Sequence, residues 1–445
     1  MPVKKQGQVF TLFFALADQL GITSDRELAD LAGVSVESIA NWRSGSVGEL
    51  KNQTLQGAVR GLITRVSMLQ ERARAQRDAF ESGLCGIEVE EGSDPATIQK
   101  KFSDRVIYDY LGHRFLYFDA QGSLAWERLI KTGYDQDRWL RGVAACADQW
   151  LSRAKDRHGR PKGVLARALG MDRKSRARGL DVVSLGPGEG GKELLLLRKV
   201  LGLEEDLGSR LPWLSLSLVD VSIPLLLEAA RSARGLVGAA APHMSVLPVC
   251  GDFEEGGLRF VQRLPTARKN GEEGVRLVLM LGNTFGNLRN EEAFIRNKLW
   301  KMTRPGDFVW LEVGLRPQRI EDDPLFRLTE ADHEVTAAET CRRRLLIGPY
   351  RRWEAAAGRV RSNLQLRVSL REDDDSCPVP ESVNFCHDLV IVDEQRACTM
   401  LYSRRYTLEA TTRWFEELDF RVEGIHRVED SKRRPRVAHL LLRRR

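Results

Sequence analysis

The stretch VVSLGPGEGGKELLLL, from Val182 to Leu197, limits the fold more than any other part of the chain. Apolar residues lead into glycines at Gly186, Gly188, Gly190 and Gly191, and an apolar run bearing Lys192 and Glu193 follows. Glycine takes positive φ without a Cβ penalty and lets backbone come close to a ligand. A helix opening directly after such a turn aims its free N–H groups at that ligand. Gly186, Gly188 and Gly191 fit the G-x-G-x-x-G spacing of dinucleotide sites. Gly186, Gly188 and Gly190 fit the looser G-x-G-x-G loop of S-adenosylmethionine (SAM) sites. The loop leaves both open, along with a turn that holds no ligand.

Four further strand-like runs fall around this unit. With DVVSL (Asp181 to Leu185) they are LSLSLVD (Leu214 to Asp220), SVLPVCGD (Ser245 to Asp252), VRLVLMLG (Val275 to Gly282) and DFVWLEVG (Asp307 to Gly314). Helical stretches between them predict a doubly wound parallel α/β sheet. Two last runs, RVEGIHRV and RVAHLLLRR, predict an antiparallel hairpin closing the sheet, where a nicotinamide-binding fold would continue with parallel units. Residues 316–400 interrupt the order and read as a substrate-domain insertion, with REDDDSCPVPES as an exposed loop.

The first 90 residues form a separate helical unit in this reading. Ser24 with Glu27 gives a capping box, Leu28, Leu31 and Ala32 a stripe, Gly33 a stop, and Ser35 a second cap before Ile39 and Trp42. That is helix-turn-helix spacing, and it resembles phage-repressor-like regulators over about 20 residues. Ser35, Ser38, Asn41 and Arg43 would face bases or phosphates. Ser24 to Lys51 carries three basic and five acidic residues, a poor balance for phosphate neutralisation, so weak nucleic-acid binding is the most it implies. A docking or dimerisation module is the alternative, with a helix over Gln56 to Phe80 as the seam of a homodimer. Glu88 to Thr97 reads as the linker, and the α/β domain as 97–445.

No apolar run reaches a membrane span, and the N-terminal apolar segment is broken by Asp18 and Gln19, so it reads as a folded helix. The seven cysteines are scattered and odd in number, as for reduced thiols of a cytoplasmic protein without a zinc site. Net charge is +7. Arginine-rich runs at Arg342 to Arg344, Arg351-Arg352, Arg404-Arg405, Lys432 to Arg436 and Arg443 to Arg445 read as a solvated face or a meeting surface for an anionic partner.

The strand ends choose the cofactor. Asp220 closes the second strand, where a carboxylate accepts from two ribose hydroxyls. Asp252 after the third strand suits an adenine amino group, with Phe253 flanking the ring. LMLGNTFGN puts Asn283 and Asn287 at the carboxyl edge of the fourth strand, where open α/β sheets bind ligands. Lys192 suits the methionine carboxylate. In this order the set favours SAM over a nicotinamide.

The same residues resemble the histidine-specific Nα-methyltransferases of ergothioneine biosynthesis, a SAM-dependent family with relatives acting on other amino-acid amines. LGPGEGGKELLLL, LVDVSIPLLLEAA, CGDF, LMLGNTFGNLRNEEAFIRNKLWKMTRPGDFVWLEVGL and YSRRYTLEATTRWFEELDFRVE carry the likeness, with FLYFDAQGSLAWERLIKTGYD upstream. It implies a class I SAM-methyltransferase fold. Gly186, Gly188, Gly190 and Lys192 would hold the methionine end of SAM, Asp220 the ribose, and Asp252 with Phe253 the adenine, Asn283 standing at the same edge. Asn287 would hold the substrate carboxylate, Tyr134 would approach its amine or carboxylate, and Leu401 and Ser403 would line the far pocket. Three positions depart from the family. Its acidic residue before the glycine loop is Ser184, a tyrosine is Phe118 with Tyr117 beside it, and its imidazole-reading glutamate is Leu401. Glu312 is a base candidate by position, although a strand-end surface carboxylate is the simpler reading.

The expectation is a SAM-dependent N-methyltransferase acting on the amine of a small, amino-acid-like molecule. A SAM-sensing regulator and a nucleic-acid-directed methyltransferase are the alternatives. The second lacks the Pro-Pro-aromatic stretch that grips a flipped base.

Overall fold

The computed structural model describes residues 13–14, 17, 25–32, 34–44, 87–106, 110–133, 136–158, 160–171, 177–207, 211–240, 244–263, 274–329, 336–372 and 377–445. Near the N-terminus, helices Asp25–Ala32 and Val36–Ser44 stand three residues apart. Phe13, Ala17, Leu28, Ala29, Ile39 and Trp42 are buried, with Phe13 edge-on to Trp42 at 5.8 Å. Ser35 caps the second helix, accepting the Ser38 N–H at 3.1 Å. Arg43 pairs with Asp25 at 2.7 Å and lies over the Phe14 ring, so the side chain cast as a phosphate contact is already engaged. Ser24 and the whole 56–80 segment lie outside the described residues.

The main sheet holds β1 (Glu88–Val89), β2 (Gly179–Leu185), β3 (Leu214–Asp220), β4 (Met244–Cys250), β5 (Gly274–Met280), β6 (Phe308–Gly314), β10 (Phe420–Glu429) and β11 (Pro435–Arg444), in the order β1-β4-β3-β2-β5-β6-β11-β10. The pairs from β1 to β6 are parallel, and β11 runs antiparallel to β6 and β10. β2, β3, β5 and β6 are buried along their whole length, because helices cover both faces of a parallel sheet. On one face Val182, Leu216, Leu277 and Trp310 meet the helices Gln136–Trp150 and Gly191–Leu207. On the other, Val183, Val278, Leu311 and Leu440 pack with Phe285, Phe294 and Phe415. The chain winds outward through β3 and β4, then crosses back to β5. The strand order therefore reverses between β2 and β5, the switch point at whose carboxyl ends open α/β sheets form their ligand crevice. The doubly wound sheet with its terminal hairpin is the expected one.

The predicted linker is part of this body. β1 adds a parallel edge to β4. The Glu90 N–H donates to Cys250 O at 2.8 Å, and its carboxylate accepts the N–H groups of Arg259 and Phe260. Ser93 Oγ accepts the Asp252 N–H at 3.2 Å, and Asp94 caps the helix Pro95–Arg105. Polar, Gly- and Pro-bearing composition is shared by linkers and short edge strands, and only the pairing tells them apart. We place the boundary before Ile87. A chain beginning at Ile87 should be soluble and unfold cooperatively, whereas one beginning at Thr97 should melt at a lower temperature or aggregate. Equal melting of the two would remove β1 from the body.

Residues 316–405 build a second layer. The helix Ala337–Ala356 carries a Thr336/Glu339 capping box. An antiparallel sheet follows, of β7 (Leu364–Arg371), β8 (Val383–Ile391) and β9 (Arg396–Arg405). This second sheet and its helix fall in the stretch read as an insertion, and β9 runs on to Arg405. The exposed-loop reading fails for its second half: Val379 and Ser382 are buried, and Cys377 Sγ lies 2.8 Å from Ser382 Oγ. Cys386 and His387 are buried in β8. Among the described residues, no His, Cys, Asp and Glu cluster suits a metal, and no helix is long and apolar enough to cross a membrane.

Candidate active site

The crevice is lined first by the glycine loop. Gly186, Gly188 and Gly190 have φ of 70°, 57° and 76°, so the turn from β2 into the helix Gly191–Leu207 uses the backbone freedom these glycines supply. A Cβ on Gly190 would press on Ala229 Cβ at 2.9 Å. Lys192, in the first helical turn, reaches Glu312 Oε2 at 2.7 Å and lies over the Trp139 ring. Glu312 is fully buried on β6. The surface-carboxylate reading is therefore wrong: Glu312 faces the layer beneath the helix Gln136–Trp150, where it anchors Lys192.

The carboxylates follow in strand order. Asp220 is buried at the end of β3 and accepts the Ser222 N–H at 2.9 Å. Burial pushes its carboxyl up to about 6, against hydrogen bonds from the backbone of Ser222 and Gly188. Asp252 accepts the N–H groups of Glu254 and Glu255 at 3.1 and 3.0 Å and pairs with Arg114. Burial alone would raise its pKa, but the Arg114 guanidinium and these N–H donors hold it below the usual carboxylate range. Phe253 is buried with His113 at 6.1 Å and Phe294 at 6.3 Å between ring centres. Burial keeps His113 neutral, its pKa down to about 4. Burial likewise pushes Glu254 up to about 7. Arg114, His113 and Glu254 were missed from sequence. The charged neighbours of CGDF in the chain were the only signal, and Arg114 lies 138 residues away.

The loop after β5 fixes a donor. Asn283 sits at φ 62°, a left-handed conformation that Asn tolerates better than most residues. Its Oδ1 accepts the Gly314 N–H at 3.1 Å, which settles the amide orientation because a backbone N–H only donates. Asn283 Nδ2 then donates to Asn287 Oδ1 at 3.2 Å, and Asn287 is left to present its own Nδ2. His113 hydrogen-bonds the Asn287 backbone. Asn283, expected at the cofactor, thus has its side-chain oxygen committed to the Gly314 N–H and an amide hydrogen to Asn287.

Tyr134 lies outside the described residues. Phe118 is in the core, and Tyr117 is half-buried against the same cluster, its ring 6.2 Å from His113 and 6.0 Å from Trp126. Burial, then the charge of Asp220, raises its phenol well above the usual value. On β9, Leu401 sits opposite His387 in register, and Ser403 Oγ lies 3.2 Å from His387 Nε2. Tyr402 stacks on Tyr110 at 5.0 Å.

Arg404 is buried, and several other arginines of the basic runs are paired within the molecule. Arg404 and Glu291 form a fully buried pair at 3.2 Å, and Arg404 also donates to the carbonyls of Leu288 and Arg289. Arg405 pairs with Asp323, Arg351 with Glu354, Arg352 with Asp119, and Arg434 and Arg436 with Asp430. Arg444 donates to the carbonyls of Trp300 and Thr303. These arginines brace loops and strand ends.

Residues 165–316 match a family model described as a SAM-dependent, histidine-specific methyltransferase. No curated protein matches the chain. Solved structures include the CcbJ methyltransferase of Streptomyces caelestis, at 15% identity over 69% of this chain and 96% of that one, TM-score 0.31. The Burkholderia thailandensis 1,6-didemethyltoxoflavin-N1-methyltransferase is 12% identical over 72% and 87%, TM-score 0.33. The magnesium protoporphyrin IX methyltransferase of Synechocystis is 12% identical over 74% and 97%, TM-score 0.33. Likenesses this distant carry no argument, so the weight rests on the chain's own sheet order, its crevice and the family match. The parallel sheet with its antiparallel terminal hairpin and the family match over 165–316 agree, and the chain is a SAM-dependent methyltransferase of class I fold.

Proposed function

We propose that the chain methylates the amine of a small, amino-acid-like molecule. The orientation of Asn287 carries this reading. A neutral amide whose oxygen is held by Asn283, with Nδ2 left as a donor, is suited to a carboxylate beside the reacting amine. SAM, when bound, supplies the methyl group as a sulfonium electrophile. The chain's task is then positional: the amine must arrive neutral and in line with the carbon–sulfur bond, roughly 3 Å from the methyl carbon. Asn287 would set the carboxylate, Tyr134 would orient the amine as a catalytic partner, and Tyr117 and Trp126 would wall the crevice against water. Gly186, Gly188, Gly190 and Lys192 would take the methionine end, Asp220 the ribose, and Asp252 with Phe253 the adenine.

Free histidine is not the substrate in this reading. An imidazole needs its ring N–H groups satisfied when buried, and an unpaired one costs about 1–3 kcal/mol. Leu401 offers no acceptor, and Ser403 already shares a hydrogen bond with His387. Discrimination against histidine of roughly 10- to 100-fold relative to an apolar or aromatic amino acid is expected. Steady-state turnover on the twenty amino acids checks this, with Leu401→Glu expected to gain histidine activity. Efficient histidine methylation by the unaltered chain would refute it. A nucleic-acid target is disfavoured because Arg404, Arg405 and Arg444 are turned inward, and Arg43 is paired with Asp25.

A further inference from the structure

We infer that Glu193 is the carboxylate that reads the methionine end of SAM, taking over from the strand position now held by Ser184. The family likeness calls for an acid just before the glycine loop, and this chain has Ser184 there. The acid is supplied instead from the first turn of the helix Gly191–Leu207: Ser184 Oγ donates to Glu193 Oε1 at 2.7 Å. Glu193 is 3% exposed. Its second oxygen, Oε2, is buried without a hydrogen-bond partner. An unpaired carboxylate oxygen costs free energy unless a donor reaches it, so a buried one calls for a donor such as a water, an ion or a ligand group.

The surroundings name the donor. Glu193 is close enough to Lys192, Glu312 and Asp220 for their charges to be coupled to its own. It follows Lys192, the residue suited to the methionine carboxylate, in the first turn of the same helix, and is hydrogen-bonded to Ser184 just before the glycine loop. The group that the methionine end carries beside its carboxylate is its α-ammonium. A cation with three N–H donors matches an acceptor-only oxygen. Lys192 is itself held by Glu312, so Glu193 is left for the ligand's cation while Lys192 faces its anion. Burial raises the Glu193 carboxyl above the usual range, with the Ser184 hydrogen bond opposing, as for a site that becomes fully charged when a cation arrives.

Two ligands separate this role from a merely structural one. S-adenosylhomocysteine carries the amino-acid end, and 5′-methylthioadenosine lacks it. By titration calorimetry on the full chain, Glu193→Gln should weaken S-adenosylhomocysteine roughly 10- to 100-fold, the range of a lost charge-assisted hydrogen bond. Binding of 5′-methylthioadenosine should change less than about twofold. Moving the acid back to the strand, as Ser184→Glu with Glu193→Ser, should restore most of the lost affinity. This second variant also decides the matter if Glu193→Gln does not fold. Equal losses for both ligands, no loss for either, or a relocated carboxylate that leaves S-adenosylhomocysteine as weak as without it would each overturn the assignment.

Discussion

Arg404→Ala is expected to destabilise the α/β body by about 3–5 kcal/mol, the cost of leaving a buried partner charge uncompensated. Arg404 and Glu291 are both fully buried, and the Tyr406 hydroxyl also donates to Glu291 at 2.6 Å. Through its donations to Leu288 and Arg289 O, Arg404 ties β9 to the loop that carries Asn287. Urea unfolding followed by tryptophan fluorescence measures the loss. Replacing both charges, as Arg404→Met with Glu291→Leu, should recover much of it, because the penalty lies in the unpaired charge and not in the missing attraction. An unchanged midpoint for the single variant would mean that water reaches the pair. Tyr402 lies under the Arg404 guanidinium, so the single variant should also disturb the Tyr110–Tyr402 stack.

Asp220→Ala should weaken SAM by about 1–3 kcal/mol, or roughly 5- to 150-fold, as charge-assisted hydrogen bonds to the ribose are lost. Calorimetry with S-adenosylhomocysteine tests it, and full-strength binding by the variant would refute the placement. The effect has a pH signature. Burial places the Asp220 carboxyl at about 6 in the folded chain, above its unfolded value near 3.9. The folded state therefore favours the protonated form, and the stability this contributes is complete below pH ~4 and lost as pH rises through about 6. Cofactor affinity moves the opposite way, because the ionised carboxylate is the stronger acceptor for ribose hydroxyls. The Asp220-dependent part of the affinity should rise between pH 5 and 7 and be flat in Asp220→Ala.

The difference between what was read and what was missed follows the range of the interactions. The glycine loop was legible because its requirement is local: positive φ within five residues, followed at once by a helix. β2 to β6 were legible because each is a short apolar run between polar turns. The alternating strands and helices also implied the edge on which Asp220, Asp252 and Asn287 lie. Glu312 was misjudged because a carboxylate near a strand end looks the same in sequence whether the strand end is open or covered. Here the helix Gln136–Trp150 covers it and Lys192 meets it. The arginine runs misled for the same reason. A run of charge says nothing about which members find buried carbonyls and carboxylates more than a hundred residues away.

The sequence by itself determined the class of sheet, the position of the glycine turn and the order of the acidic strand ends. These rest on backbone conformation and on the period of apolar residues, both properties of a few consecutive positions. The tertiary structure alone decided that 88–97 joins the body, that Tyr117 lies beside His113 and Trp126, and which way the Asn287 amide points. It also decided that Ser184 and Glu193 form one acidic unit. Each of those depends on a hydrogen bond or a covering surface between elements distant in the chain, or on which face of a turn meets the core, and neither is written in the local pattern.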